Sequence, residues 1–368
     1  MATTHNANMA KTSKFLLIWS QLIMQMVMNA EAQVSSIIVF GDSSVDAGNN
    51  NDINTAVKSN FRPYGRDFIG GKPTGRFSNG RLPTDFISEA FGIKPAIPAY
   101  LDKHYNISDF ATGVCFASAG TGLDPLTSDI VSVLPLERQI HYFKEYQKQL
   151  KEYLGNKKAE KVLSDALYIT SIGTNDFLEN YYVRPKRVSE YSVDKYQDFL
   201  LNLTREFVKT LYQLGGRKIL LAGLPPMGCL PLIRTVNIFT WGSCKEEYNQ
   251  VAIEYNKKLE GLVRLLSKEF KEIEVVLTDS YNILEDIIKN PRNYDFEVAE
   301  RACCGTGKFE VSYMCNQMTP TCYDTNKYVF WDAMHLTEKT NRILANNTFK
   351  TSLANFQNQK TNNIFRRM

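Results

Sequence analysis

The sequence predicts an α/β fold of three layers, with helices on both faces of a central, mostly parallel five-stranded sheet. Short apolar runs without polar alternation recur along the chain, each followed by Gly, Pro, Asp or Asn, and long stretches with helical apolar spacing lie between them. A strand buried on both faces has no solvent side to produce alternation, and strand alternating with helix is the pattern of a parallel sheet covered on both sides.

The apolar runs are IIVF at 37–40, VCFA at 114–117, ALYIT at 166–170, KILLAG at 218–223 and EVVLT at 274–278. Between them, 136–154 places Ile140, Phe143, Tyr146 and Leu150 on one helical face, and 193–214 does the same with Phe199, Leu203, Phe207, Leu211 and Leu214. A third amphipathic stretch covers 245–270. No repeat, linker or charge block interrupts this order. Residues 33–368 therefore read as a single domain, with a loose tail rich in Asn, Gln and Lys after about residue 352.

Residues 1–32 precede that domain and read as a signal peptide. Lys11 and Lys14 are followed by the apolar run FLLIWSQLIMQMVMN and by small residues at Ala30 and Ala32, the order of a basic, apolar and cleavable leader. Ser20, Gln21 and Gln25 interrupt a run already short of the roughly 20 apolar residues needed to span a bilayer. Met1 and Met9 are both possible starts. No later segment is apolar enough to be an integral membrane span, so secretion is the expectation. The 43 Lys and Arg against 39 Asp and Glu give a net charge of +4, spread thinly along the chain. Nucleic-acid binding, which needs a concentrated basic surface, is excluded.

An oxidising compartment gives the seven cysteines a purpose. Cys115 lies inside the apolar run GVCFA and is expected to be the odd thiol. The other six lie in loop-like sequence and permit three disulfides. Cys229 and Cys244 bracket one loop and are expected to pair; the partners among Cys303, Cys304, Cys315 and Cys322 stay open. No metal is expected, because paired C-x-x-C spacing is absent and vicinal Cys303 and Cys304 cannot readily share one tetrahedral ion. Sequons at Asn106, Asn202 and Asn346 are expected to carry glycans, and Asn202 shares a helical face with Glu206, Lys209 and Gln213.

In open α/β sheets ligands bind outside the carboxyl ends of the strands. Four such ends carry unusual polar sequence: Gly41-Asp42-Ser43-Ser44, Ser118-Ala119-Gly120, Gly173-Thr174-Asn175-Asp176 and Leu224-Pro225-Pro226. Of the four histidines, His5 falls in the leader, His104 in a polar loop and His141 on the solvent side of its helix. His335 remains, in YVFWDAMHLTEKT with a short helix expected after it. Asp332, three residues earlier, can accept its Nδ1–H and leave Nε2 as a base. Ser43, just past a buried strand, is the matching nucleophile. The G-x-S-x-G elbow of ordinary α/β-hydrolases is absent. Gly307-Lys308 is followed by Phe309 and is not a P-loop. TGRFSNGR reads as a solvated loop near the site, with substrate contact by Arg76 or Arg81 open; Tyr181 and Tyr182 read as core or rim.

At this point a family resemblance becomes specific. FGDSSVDAGN resembles the first block of the plant GDSL-type esterase and lipase family of the SGNH-hydrolase superfamily, GVCFASAGTG its second, SIGTND its third and FWDAMHLTE its fifth. RPYGRDF, TGRFSNGR, GLPPMGCLP and ACCGTG are also typical of the plant branch, and the likeness spans roughly 36–350. The resemblance implies a flavodoxin-like SGNH fold and a serine esterase or lipase acting on acyl or lipid esters without a cofactor, secreted to the apoplast or cell wall. It implies Ser43 as nucleophile, His335 as base and Asp332 as orienting carboxylate. The implied oxyanion hole combines the Ser43 N–H, the Gly120 N–H and the Asn175 side-chain amide. Cys115 stands where Asn is common, Leu336 where Pro is common, and Ala119 where Gly is frequent, which leaves the second donor open between Ala119 and Gly120. Two other readings stay open: an extracellular acyltransferase using the same acyl-enzyme, and a catalytically relict wall- or lipid-binding protein, against which the intact set of five residues argues.

Overall fold

The computed structural model describes residues 34–237 and 242–356; the leader expected over 1–32 and the chain after 356 lie outside the described residues. Five strands form the central sheet: β1 (Ile37–Gly41), β2 (Gly113–Cys115), β3 (Leu167–Ser171), β4 (Lys218–Ala222) and β5 (Glu274–Thr278). Their order is β2-β1-β3-β4-β5 and every pair is parallel.

Successive side chains of a strand leave opposite faces of the sheet, and both faces here are apolar. Ile38, Phe40, Tyr168, Ile219 and Leu221 enter one core; Ile37, Val39, Leu167, Ile169 and Leu220 enter the other. The second core is covered by α1 (Pro83–Ala90) and by α7 (Glu338–Thr351), the first by α2 (Leu136–Leu154), α3 (Asn156–Asp165), α4 (Val193–Gln213), α5 (Glu246–Glu269) and α6 (Ser280–Lys289). Phe40 alone meets the rings of Phe116, Phe143 and Phe207 at 5.4 to 5.6 Å. Burying such a side chain contributes about 1.5 to 3 kcal/mol.

The sheet matches the expected strands to within a few residues, and α2 has the expected bounds. The buried face of α4 is rotated from the expected stripe. It runs through Tyr196, Leu200, Thr204, Phe207, Val208 and Leu211, while Phe199 turns toward Tyr191 and the Arg187 guanidinium. A second, two-stranded parallel sheet, β6 (Val298–Ala302) with β7 (Tyr328–Phe330), was not anticipated. Its strands are short, and Glu300 and Arg301 give β6 no apolar run. The packed chain also extends past the boundary expected near residue 352, since Leu353 and Phe356 are buried in the second core. No helix among the described residues is long and apolar enough to cross a membrane.

The cysteines pair as Cys229–Cys244, Cys303–Cys322 and Cys304–Cys315, and Cys115 is free and buried. Burial pushes the Cys115 thiol up to about 12, which leaves it protonated and unreactive.

From β1 the chain steps to β2 on one side and, through β3, to β4 and β5 on the other. The strand order thus reverses between β1 and β3. That reversal opens a crevice at the carboxyl ends of those two strands.

Candidate active site

Ser43 follows β1 and Asn175 follows β3, so both emerge at this crevice. Gly41 ends β1 with φ at 136°, and a Cβ there would lie 2.1 Å from the Ser171 carbonyl oxygen; only glycine lets the two strand ends approach this closely. Its main chain is gripped by Gln139, whose side-chain oxygen accepts from Gly41 N at 3.0 Å and whose amide donates to Gly41 O at 2.9 Å. Asp42 then turns the chain, accepting from the N–H and the hydroxyl of Ser44 at 2.9 and 2.6 Å. Ser43 projects from this turn. Ser44 is tied to Asp42 and, at 2.8 Å, to the Ser171 hydroxyl.

The next residues fasten the serine loop to the loop after β2. Asp46 accepts from Gly48 N and Asn49 N at 2.7 and 2.8 Å with one oxygen, and from Ala119 N at 3.0 Å with the other. Burial pushes this carboxyl up to about 6 despite those donors. Asn49 donates to the carbonyls of Cys115 and Ala117, and Asn50 to that of Ala119. Gly120 comes next, with φ at 88° and room for no Cβ: one would lie 2.9 Å from Val131. Because the Ala119 N–H is spent on Asp46, Gly120 is the residue of this pair with a main-chain donor left for a ligand. The Asn175 amide gives one N–H to Thr121 O at 3.0 Å, which orients the group and leaves its second N–H.

His335 arrives from the opposite side. After β7 the chain makes a tight loop closed by Trp331 N–H donating to His335 O at 2.7 Å. Asp332 organises the loop from within, accepting from Met334 N and His335 N at 2.9 and 2.8 Å. The same carboxylate lies 2.8 Å from His335 Nδ1, and His335 Nε2 lies 2.8 Å from Ser43 Oγ. Asp332 is fully buried and the His335 side chain is 12% exposed. The three-residue spacing therefore has a physical basis, since one carboxylate shapes the turn and meets the ring.

Ser43, Gly120, Asn175 and His335 line one pocket of about 210 Å³, whose remaining walls are mostly apolar, among them Val45, Ile87, Leu220, Leu230 and Leu344. Glu179 also lines it. Burial, reinforced by the nearby Asp42 charge, pushes this carboxyl up to about 7, with His335 acting in the opposite sense. Behind Asn175, Asp176 ties the loop after β3 to Leu123 N, Asp124 N and the Thr127 hydroxyl at 2.8 to 2.9 Å.

A serine hydroxyl against an imidazole, a carboxylate on that imidazole and donors around the pocket are groups of the kind that acyl transfer uses. The matching family model, GDSL-like Lipase/Acylhydrolase, covers residues 37–348. The chain belongs to the GDSL lipase/acylhydrolase family. Among its GDSL relatives in Arabidopsis thaliana, GDSL esterase/lipase At4g26790 is 54% identical over 344 residues, covering 93% of this chain and 98% of the relative. GDSL esterase/lipase At2g04570 is 57% identical over 325 residues, covering 88% and 93%. GDSL esterase/lipase At2g42990 is 53% identical over 330 residues, covering 89% and 94%.

Other expected positions fall away from the pocket of this GDSL protein. Arg76 is buried and paired with Asp85 at 2.8 and 2.9 Å, and Arg81 meets Glu89 and Glu338. Neither lines the pocket: Arg76 anchors α1, Arg81 ties α1 to α7, and the segment expected as a solvated loop is buried from Arg76 to Asn79 because these side chains are paired inward. Tyr181 is core, and Tyr182 stacks on Tyr248 at 3.9 Å. In the loop around Gly307-Lys308, the main-chain N–H groups of Thr306, Lys308 and Phe309 converge on the Glu310 carboxylate, so this turn holds its own anion. His104 and His141 are exposed, each beside a carboxylate. Asn106 and Asn202 are exposed and Asn346 is half-buried on α7. Two side chains that sequence reasoning missed are Glu179, on the pocket wall, and Tyr64, whose hydroxyl meets Asp332; no spacing rule connects either to Ser43, Asp332 or His335.

Proposed function

We propose that this carboxylic ester hydrolase of the GDSL family works through a Ser43 acyl-enzyme. The observation that carries the reading is the continuous path from Asp332 to His335 Nδ1 and from His335 Nε2 to Ser43 Oγ, each step 2.8 Å. Ser43 Oγ attacks the ester carbonyl while its proton passes to His335 Nε2; the resulting imidazolium is stabilised by Asp332. The Ser43 N–H, the Gly120 N–H and the free N–H of Asn175 receive the oxyanion. One such donor is worth about 2.7 to 4 kcal/mol in the transition state. Collapse expels the alcohol with the proton from His335, and water activated by the same base then releases the carboxylic acid. The apolar pocket walls suit an acyl or lipid chain, and three disulfides suit a secreted protein of the apoplast or cell wall, entered through the leader over residues 1–32.

The test is a panel of acyl esters of graded chain length, assayed with and without added alcohols. Free acid as the main product, with turnover rising as the chain gains apolar carbons, is the expected result. Transferred ester as the main product would assign acyl transfer instead, and no turnover on any ester would leave a binding protein.

A further inference from the structure

We propose that Tyr64, in the RPYGRDF segment, is a positioning residue of the triad. Its phenol holds the Asp332 carboxylate in the orientation that serves His335. The inference rests on the Ser43–His335–Asp332 reading above.

Tyr64 is fully buried, and its hydroxyl donates to Asp332 Oδ2 at 2.6 Å. The phenol oxygen of Tyr64 in turn accepts the Ser312 N–H at 2.8 Å. A phenol has one hydrogen; with a donor already seated on its oxygen, that hydrogen goes to the carboxylate. Burial and the neighbouring Asp332 charge push the phenol well above its ordinary range, so it stays a neutral donor throughout the working pH range. The ring is fixed by Phe61, Phe77 and Trp331 at 5.8 to 6.1 Å, and Phe77 in turn lies 4.9 Å from the His335 ring. Ser312 is itself held: its hydroxyl donates to Lys58 O at 2.7 Å and accepts from Lys58 N at 3.2 Å.

Asp332 thus takes four donors: two main-chain N–H groups of its own loop, the imidazole and the phenol. The first two fix its place along the chain. The phenol alone arrives from outside that loop and fixes the plane of the carboxylate. It also draws negative charge from the oxygens that face the imidazole, so its removal leaves more charge to stabilise imidazolium.

The test uses Tyr64→Phe, with active sites counted by phosphonate titration. The expected result is a fall in kcat of about 10- to 100-fold, the scale seen when a group supporting a functional ligand is removed, with KM little changed. The acidic limb of the kcat/KM profile moves to higher pH. The other titratable groups facing His335, Asp42 and Glu179, are common to both enzymes. In an Asp332→Asn background, expected to lose up to about 10⁴-fold in kcat as the same change does in a serine-protease triad, Tyr64→Phe is expected to cost nothing further, because the partner it acts on is gone. Ser312→Gly suits the local φ of 52° and keeps the phenol while loosening its support, so it should shift the limb the same way by less. A packing role alone lowers thermal stability equally in both backgrounds and leaves the limb in place in both single variants; that result overturns the proposal. If Asp332→Asn is itself fully active, the triad reading fails and this inference falls with it.

Discussion

Two loops meet at the contact between Ser43 and His335, and they are built by different means. The serine loop, 41–50, is held by polar side chains that bond to main chain: Gln139 on Gly41, Asp46 on Gly48, Asn49 and Ala119, and Asn49 on Cys115 and Ala117. The histidine loop grows from a small sheet and is backed by a cluster of Tyr64, Phe77, Trp331 and the cysteines 303, 304 and 315. The first is rigid because its polar side chains are bonded to main chain, both within the loop and in the loop after β2, while Gln139 grips Gly41. The second borrows its rigidity from distant segments through disulfides and aromatic packing. A break in each loop should therefore look different.

The sharpest contrast is among the disulfides. Cys229–Cys244 and Cys304–Cys315 close loops of similar length, with sequence separations of 15 and 11, and each is worth about 3 kcal/mol of stability on loop-closure entropy. Removing Cys304 and Cys315 together as Ala should lower kcat about tenfold or more at temperatures where the protein stays folded, because the Ser312 support beneath Asp332 goes with the bridge. The same change at Cys229 and Cys244 should cost stability with kcat nearly unchanged. Unfolding by circular dichroism, run beside initial rates, separates the two. Equal losses of kcat would mean that the Cys304–Cys315 bridge gives the histidine loop no particular support.

A smaller effect is expected on the serine side, at Glu179. Its folded-state value, about 7, lies above the ordinary 4.5 of a free glutamate, so its contribution to stability is full below about pH 4.5 and is lost as pH rises through 7. Glu179→Gln should melt at the same temperature as wild type at pH 4 and at a higher one at pH 8. A difference that is constant with pH would mean that the carboxyl is not held protonated by its surroundings.

The same contrast explains what the sequence made legible. The strands of the sheet, α2 and the serine loop carry their information locally, as apolar runs, helical periodicity and a cluster of Gly, Asp and Asn within ten residues. Asp332 and His335 were legible because one short turn contains both. Tyr64 and Ser312 were not, because 248 residues separate them and their meeting depends on how two loops pack. Cys229–Cys244 was readable as the ends of one loop, whereas the nested pairs Cys303–Cys322 and Cys304–Cys315 depend on how the segment between β6 and β7 folds back on itself. Glu179 escaped notice because a carboxylate in a helical turn looks like solvent-facing sequence until the pocket around it is seen.

Covalent labelling tests the central claim most directly. A phosphonate ester analogue should react once per molecule, and peptide mapping should place the adduct on Ser43, with labelling abolished in Ser43→Ala and slowed by orders of magnitude in His335→Ala. An adduct on Ser44, Ser118 or Ser171, or undiminished labelling of Ser43→Ala, would contradict the account.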